Sequence, residues 1–411
     1  MTTEPASISP DRPRYTIISA DTHAGADLLD YRPYLESRFH DEFDAWAATF
    51  VNPFSDLLRK DADRNWDSAR RMADLEADGV VAEVIYPNTI PPFFESGSLA
   101  ATSPAPEDYE LRLAGLRAHN RWLADWCAEY PGRRAGIGQT WFNDVDETVR
   151  DVHWIADHGL RGGVLLPGAP PGATIEPLHS PIYEPVWRAC EERGVVLNTH
   201  GGSGSPDYGE HPASRSLWLI EAAWFAHRAL WTLIMAGVFD RFPGLRMVLA
   251  EQGNAWIPPM LQNLDNIYGQ IAQGNVGVMS FDEPRLLERM PSDYWNDNCM
   301  VAASFYHVDD CARRDEIGVQ HIMWGADYPH LEGTTPFSHE AIRRTFAGVP
   351  EPEVRAMLGG NAARVYGFDL GELQPLADEL GPTVDEVAAG LDAIPEGAQS
   401  FAFRERVTAV L

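Results

Sequence analysis

The chain has 411 residues, 45% hydrophobic and 10% aromatic, with a formal charge of -29 at pH 7; this suffices for one large domain or two ordinary ones. So acidic a surface argues against nucleic acid and anionic membranes as partners and reads as solubility. Cys127, Cys190, Cys299 and Cys311 lack zinc-knuckle or disulfide-framework spacing, Met1 to Pro13 lacks the apolar stretch of a signal peptide, and no apolar run approaches the ~18 residues of a membrane span, so a cytoplasmic protein is expected.

In chain order, Met1 to Pro13 reads as a polar tail and Tyr15 to Ala20 as the first strand. Arg32 to Arg64 carries Tyr34, Phe39, Phe43, Trp46, Phe50 and Phe54, too apolar for a linker, and is expected to fold over the end of that strand. Trp66 to Asp78 is a predicted helix whose inner face is Trp66, Ala69, Met72, Ala73 and Ala77, with Glu76 exposed and Gly79 as its stop. Val80 to Tyr86 is a buried strand, Pro91 to Pro106 a loop, and Glu107 to Tyr130 a long helix.

The alternation then repeats: strand Ala135 to Trp141, helix Asp144 to Asp157, strand Gly162 to Leu166, helix Ile182 to Arg193. Strand Val195 to Asn198 runs into Thr199-His200-Gly201-Gly202 and is followed by helix Ser216 to Ala236. Strand Met247 to Ala250 ends in Glu251, before helix Trp256 to Tyr268. Strand Cys299 to Ala303, helix Val308 to Ile317, strand Ile322 to Gly325 and helix Phe337 to Phe346 complete the series. Val384 to Leu391 and Phe401 to Val410 are helices beyond it.

Eight strands, each followed by a helix or helical insertion, predict an α/β fold, a (β/α)8 barrel of the TIM type with an insertion after strand 1 and a C-terminal helical extension. The alternative is an open doubly wound sheet, but no Gly-x-Gly-x-x-Gly follows the first strand. The expected division is a tail over 1–14, the barrel over 15–368 and the extension over 369–411.

In such a barrel the C-terminal strand ends surround one pocket. They carry Asp21 and His23 on the first strand, His200 on the fifth, Glu251 on the sixth and Asp327 on the eighth, with His330 three residues on. Asp21 and His23, two apart on an extended backbone, point to one side. Carboxylates and imidazoles gathered in one mouth would repel and be costly to desolvate unless a divalent cation joined them. His40, His119, His153, His158, His179, His211, His227, His321 and His339 lie in helices, insertions or turns and read as surface or capping residues; His307, after the seventh strand, is a further candidate for the pocket. Trp141, Phe142 and Trp256 are candidate pocket walls, each weighed against ordinary core packing.

Asp21-Thr22-His23, Asn198-Thr199-His200-Gly201-Gly202, Gly325-Ala326-Asp327-Tyr328-Pro329-His330 and Gly359-Gly360-Asn361-Ala362-Ala363-Arg364-Val365-Tyr366 together resemble the amidohydrolase superfamily. Within it they resemble the amidohydrolase-related, aminocarboxymuconate-semialdehyde decarboxylase-like group, over about Tyr15 to Phe368. The resemblance implies a metal-dependent (β/α)8 barrel with Asp21, His23, His200 and Asp327 as ligands. Where the decarboxylases carry a sixth-strand His as acid/base, this chain has Glu251, and no Lys lies near the fourth strand for a carboxylated-lysine bridge.

Two mechanisms follow. In the first, one zinc or manganese ion bound by Asp21, His23, His200 and Asp327, with one position open for water or substrate and Glu251 as a further candidate ligand, polarises a small carboxylic acid or cyclic amide. Glu251, Asp327 and His330 are then the candidates for moving protons, and the outcome is hydrolysis or decarboxylation. In the second, the carboxylate-rich site with His330 as an added ligand holds two iron or manganese ions and activates oxygen, as in a few monooxygenases of the same group. A non-catalytic metal-binding subunit of a hetero-oligomer is a third reading. The expected partner is a small-molecule substrate, without organic cofactor, in a homo-oligomer or hetero-oligomer.

Overall fold

The computed structural model describes residues 13–54, 56–281 and 287–404. The strands are β1 (Ile17–Ala24), β2 (Val80–Pro87), β3 (Arg134–Gln139), β4 (Gly163–Leu165), β5 (Leu197–His200), β6 (Met247–Ala250), β7 (Cys299–Ser304) and β8 (Ile322–Gly325). They lie side by side in chain order and every ladder between neighbours is parallel. The first and last strands meet through Asp327 N donating to Asp21 O (2.8 Å) and His23 N to Tyr328 O (2.7 Å). Ser19 Oγ joins this seam too, accepting from Ala326 N at 2.8 Å. The fold is the expected (β/α)8 barrel, not an open doubly wound sheet.

Alternation across each strand separates two apolar layers. Ile18, Ala20, Ala82, Val84, Ile137, Val248, Met300 and Met323 fill the barrel, closed at the far end by Tyr366, Phe368, Leu373 and Ala377. Ile17, Val164, Leu197, Leu249, Val301 and Trp324 pack outward under the helices. With both faces buried, these strands read as continuous apolar runs rather than as alternating ones.

Several expectations are corrected. Helix Ser68–Ala77 buries Arg71, Met72 and Leu75, whereas Ala69, Ala73 and Ala77 are exposed and Glu76 is half-buried, in an ion pair with Arg133. Its inner face is set by a charged side chain that meets an acid on β2, which apolar periodicity cannot register. Val308 to Ile317 is two single turns, Val308–Cys311 and Arg314–Ile317, interrupted at Arg313 (φ −101°, ψ 11°). A hairpin, Asn275–Val276 with Met279–Ser280, was not anticipated.

The segment after β1 folds as short helical pieces. Its Leu35, Phe39 and Phe43 pack on Ala114 and Ala118 of helix Tyr109–Ala128. Beyond the barrel come Leu370–Leu380, Val384–Ala389 and a single turn at Phe401–Phe403. Most of the expected helix Phe401 to Val410, and the tail over 1–12, fall outside the described residues. Among the described residues no helix is long and apolar enough to cross a membrane.

Candidate metal centre

Ile18 and Ala20 already face the barrel interior, so strict alternation would turn Asp21 and His23 outward. A bulge reverses this. Ser19 pairs with Glu83 and Thr22 with Ile85, so β1 advances three residues where β2 advances two. The extra residue re-aims everything after it, and Asp21 and His23 end fully buried beside the site.

The other strand ends contribute in register. Asn198 and His200 share the inner face of β5; Asn198 Oδ1 accepts from Tyr366 Oη at 2.9 Å and Tyr86 Oη at 3.4 Å. Glu251 follows β6 with φ 51°, and Asp327 lies two residues past β8 with φ 57°. Left-handed backbone at a non-glycine residue costs on the order of 1–3 kcal/mol and gathers where function over-determines geometry. For Glu251 it turns a side chain that alternation from Val248 and Ala250 would send outward. At Gly201 a Cβ would come within 2.5 Å of Glu251 O, so only glycine fits beneath it.

The donors converge. His23 Nε2 lies 3.4 Å from Asp21 Oδ1 and 3.1 Å from Asp327 Oδ1. His200 Nε2 lies 3.5 Å from Asp21 Oδ1 and 3.3 Å from Glu251 Oε2. The ligand atoms of Asp21, His23, His200 and Glu251 all fall within 4.8 Å of one another. His200 Nδ1 donates to Gly201 O at 3.0 Å and His23 Nδ1 faces Pro87 O at 3.5 Å, which leaves each Nε2 as a lone pair toward the centre. Asp21 Oδ1, His23 Nε2, His200 Nε2 and Asp327 Oδ2 are buried without a hydrogen-bond partner. Buried ligand atoms left without partners are costly unless a cation satisfies them; Asp21, His23, His200 and Glu251 fit a divalent metal, and Asp327 stands with His23 and His330 in an adjoining group.

The electrostatics agree. Burial disfavours a proton on His200, but Asp21 and then Glu251 outweigh it and raise its pKa to about 9. The field that draws a proton there also draws a cation. His23 is lowered, chiefly by burial and then by His330. Enclosure in the mouth, although 24% of its side chain still meets solvent, and next the Asp327 carboxylate push Glu251 up to about 8. Burial opposes ionisation of Asp327, yet His330 and His23 hold its carboxyl below the ordinary range. His330 is raised to about 10, burial being outweighed by Asp327 and Glu251.

His330 belongs to the cluster differently from the others. Its Nδ1 sits 2.9 Å from Asp327 Oδ1 and its Nε2 3.2 Å from Asn88 Oδ1, so both nitrogens are engaged. His307 caps the turn after β7, its Nδ1 accepting from Asp309 N at 3.2 Å. Trp141 stacks on Phe94 and Trp256 on His227, while Phe142 packs in the outer core. His119, His227 and His321 are buried, a correction to their reading as surface or capping residues, since helices packed on a barrel bury one face whatever its polarity.

Sequence reasoning missed Ser304, which donates to Asp21 Oδ2, and Tyr86, whose ring lies 4.8 Å from that of His200. Both continue inward-facing series, Met300-Ala302-Ser304 and Ala82-Val84-Tyr86, and extending those by two residues would have found them.

The amidohydrolase family model matches residues 61–368. A gamma-resorcylate decarboxylase of Rhodococcus jostii is 26% identical over 323 residues, 74% of this chain and 91% of that protein. A 2-amino-3-carboxymuconate-6-semialdehyde decarboxylase of Dictyostelium discoideum is 25% identical over 319 residues, 74% of this chain and 77% of that protein. The structure of 5-carboxyvanillate decarboxylase from Sphingomonas paucimobilis superimposes with a TM-score of 0.64 at 21% identity, covering 86% of this chain and 100% of that one. That of a dihydroxybenzoic acid decarboxylase from Polaromonas, with bound manganese and 2-nitroresorcinol, has a TM-score of 0.61 at 17% identity and covers 87% and 98%. These relatives give no support to the oxygen-activating alternative. With the family match extending across most of the barrel, the chain belongs to the amidohydrolase family of metal-dependent enzymes.

Proposed function

We propose that the chain is a mononuclear, metal-dependent decarboxylase of a hydroxylated aromatic acid. The observation that carries this reading is the cluster of Asp21, His23, His200 and Glu251, whose ligand atoms lie within 4.8 Å of one another, with Asp327 Oδ1 3.1 Å from His23 Nε2. Asp21, His23, His200 and Asp327 hold the cation, with Glu251 within reach at the rim. When bound, a divalent ion such as manganese or zinc supplies Lewis-acid polarisation of a carboxylate and an adjacent hydroxyl.

The chain's own residues do the rest. Glu251 is the proton carrier, because it alone among the carboxylates of the cluster keeps part of its side chain in solvent, where a substrate enters. Protonation of the ring carbon that bears the carboxylate forms a C–H bond, and the carboxylate departs as carbon dioxide with its bonding pair returned to the ring. His330, anchored by Asp327 and Asn88, holds Asp327 in place. The resemblance of the curated relatives, decarboxylases of gamma-resorcylate and aminocarboxymuconate semialdehyde, favours carbon–carbon cleavage over hydrolysis.

The test combines metal analysis with carbon dioxide release from a panel of ortho-hydroxybenzoates. One manganese or zinc per chain and turnover of at least one member are expected. Glu251→Gln should lower kcat by about 100-fold or more, the range for loss of a general acid, with metal content retained. Near-normal turnover in that variant would remove Glu251 from the proton-carrying role.

A further inference from the structure

Beside β1, a fully buried ionic group joins Arg71 of helix Ser68–Ala77, Glu83 of β2 and Arg134 of β3. Arg71 Nη2 lies 2.7 Å from Glu83 Oε2, and Arg134 Nε lies 3.6 Å from Glu83 Oε1, all three side chains sealed from solvent. An isolated buried ion pair contributes little to stability, since desolvation consumes most of its Coulomb energy. Its location is more informative.

The group sits on the bulge. Glu83 is the residue paired with Ser19, where β1 begins to gain its extra residue. At that point the regular ladder cannot serve the bulged backbone, and side chains take over. Thr22 Oγ1 donates to Glu83 Oε2 at 2.8 Å and faces Val84 O at 2.9 Å. Arg71 Nη1 donates to His23 O at 2.7 Å, while its Nε and Nη2 grip the same Glu83 carboxylate. The Arg71 guanidinium lies 4.7 Å from the centre of the Tyr328 ring, and Tyr328 O is the acceptor for His23 N. Thr22 stands between Asp21 and His23 in sequence and faces the opposite way. Every hydrogen bond to its side chain therefore restrains the directions of its two neighbours.

We infer that Thr22, Glu83 and Arg71 are positioning residues for the metal centre. Their ionic network holds the β1 bulge in the one register that turns Asp21 and His23 inward together. This rests on the assignment of Asp21 and His23 as metal ligands. It accounts for an Arg, a Glu and a Thr being sealed behind the site, none of which reaches the donors itself.

The test is Mn2+ affinity of the full chain stripped of metal, measured by calorimetry, with thermal unfolding followed in parallel. Thr22→Val keeps shape and removes the hydroxyl that meets Glu83 and Val84; about 10- to 100-fold weaker Mn2+ binding is expected, as for other outer-shell losses. Thr22→Ser restores the hydroxyl and should return affinity to within about threefold of the parent. Glu83→Gln, read the same way, substitutes where Thr22→Val does not fold. Mn2+ affinity of Thr22→Val within about twofold of the parent, with or without a lower melting temperature, overturns the inference and leaves a purely structural network. His200→Ala is the control. If it loses Mn2+ and Thr22→Val does not, only the positioning role fails; if the parent binds no Mn2+, the ligand assignment fails and the positioning role with it.

Discussion

Asp21 illustrates how much of this centre depends on single atoms. Its Oδ1 lies among the imidazole nitrogens without a hydrogen-bond partner, while its Oδ2 accepts from Ser304 Oγ. The hydroxyl therefore fixes which carboxylate oxygen is left facing the imidazoles. Ser304→Ala frees that rotation, and Mn2+ affinity should fall by about tenfold with little change in fold; titration of the metal-stripped variant checks this, and unchanged affinity would dismiss the hydroxyl as incidental. That Asp21, His23, His200, Glu251 and Asp327 come to one end of the barrel was legible in the sequence, because a strand end is a local event, an apolar run that stops at a polar residue. The inward series Met300-Ala302-Ser304 would have placed Ser304 at the pocket, but that its hydroxyl meets Asp21, 283 residues away, needs the tertiary structure.

At the scale of elements, the barrel seam and the bulge decide the geometry. Where β8 passes β1, a Cβ on Gly325 would come within 2.8 Å of the Cβ of Asp21. No side chain fits between the first and last strands at the level of the donors. Gly325→Ala should cost about 1–3 kcal/mol by overpacking and should also weaken Mn2+ binding, because the displaced residue is Asp21 itself. Urea unfolding with and without Mn2+ reads both effects, and a variant as stable and as tightly loaded as the parent would show that the seam yields. The strands themselves were legible from short apolar runs punctuated by turn residues. The bulge was not, since the sequence of β1 reads equally well with Asp21 facing in or out; the pairing with Glu83 and Ile85 decides it.

At the scale of the whole molecule, wrapping helices around a closed sheet buries polar groups that their own segments mark as exposed. His119 lies at 0% exposure on helix Tyr109–Ala128, and burial lowers its pKa to about 4. His227, packed on Trp256, is lowered to about 4 for the same reason. A histidine whose folded pKa lies below its unfolded value near 6.5 binds its proton more readily when unfolded. Its stabilising share is complete above pH 6.5 and is lost as the pH falls toward 4, by up to about 3 kcal/mol per group. Stability from urea unfolding should therefore decline between pH 6.5 and 4. His119→Gln should flatten that decline by roughly one proton's worth; an unaltered pH profile would show that His119 is not the neutral buried group described.

What the sequence determined by itself is the order of elements, the (β/α)8 architecture and the strand ends that bear the candidate metal-ligating side chains. Periodicity, turn residues and helix caps are properties of neighbouring residues and need no knowledge of the rest of the chain. What only the tertiary structure decided is which way Asp21 and His23 point, that Arg71 rather than a row of alanines forms the inner face of its helix, and that His330 commits both nitrogens to Asp327 and Asn88. Each depends on partners brought together from distant segments by the closing of one sheet, where strand register and desolvation, rather than local propensity, set the energy.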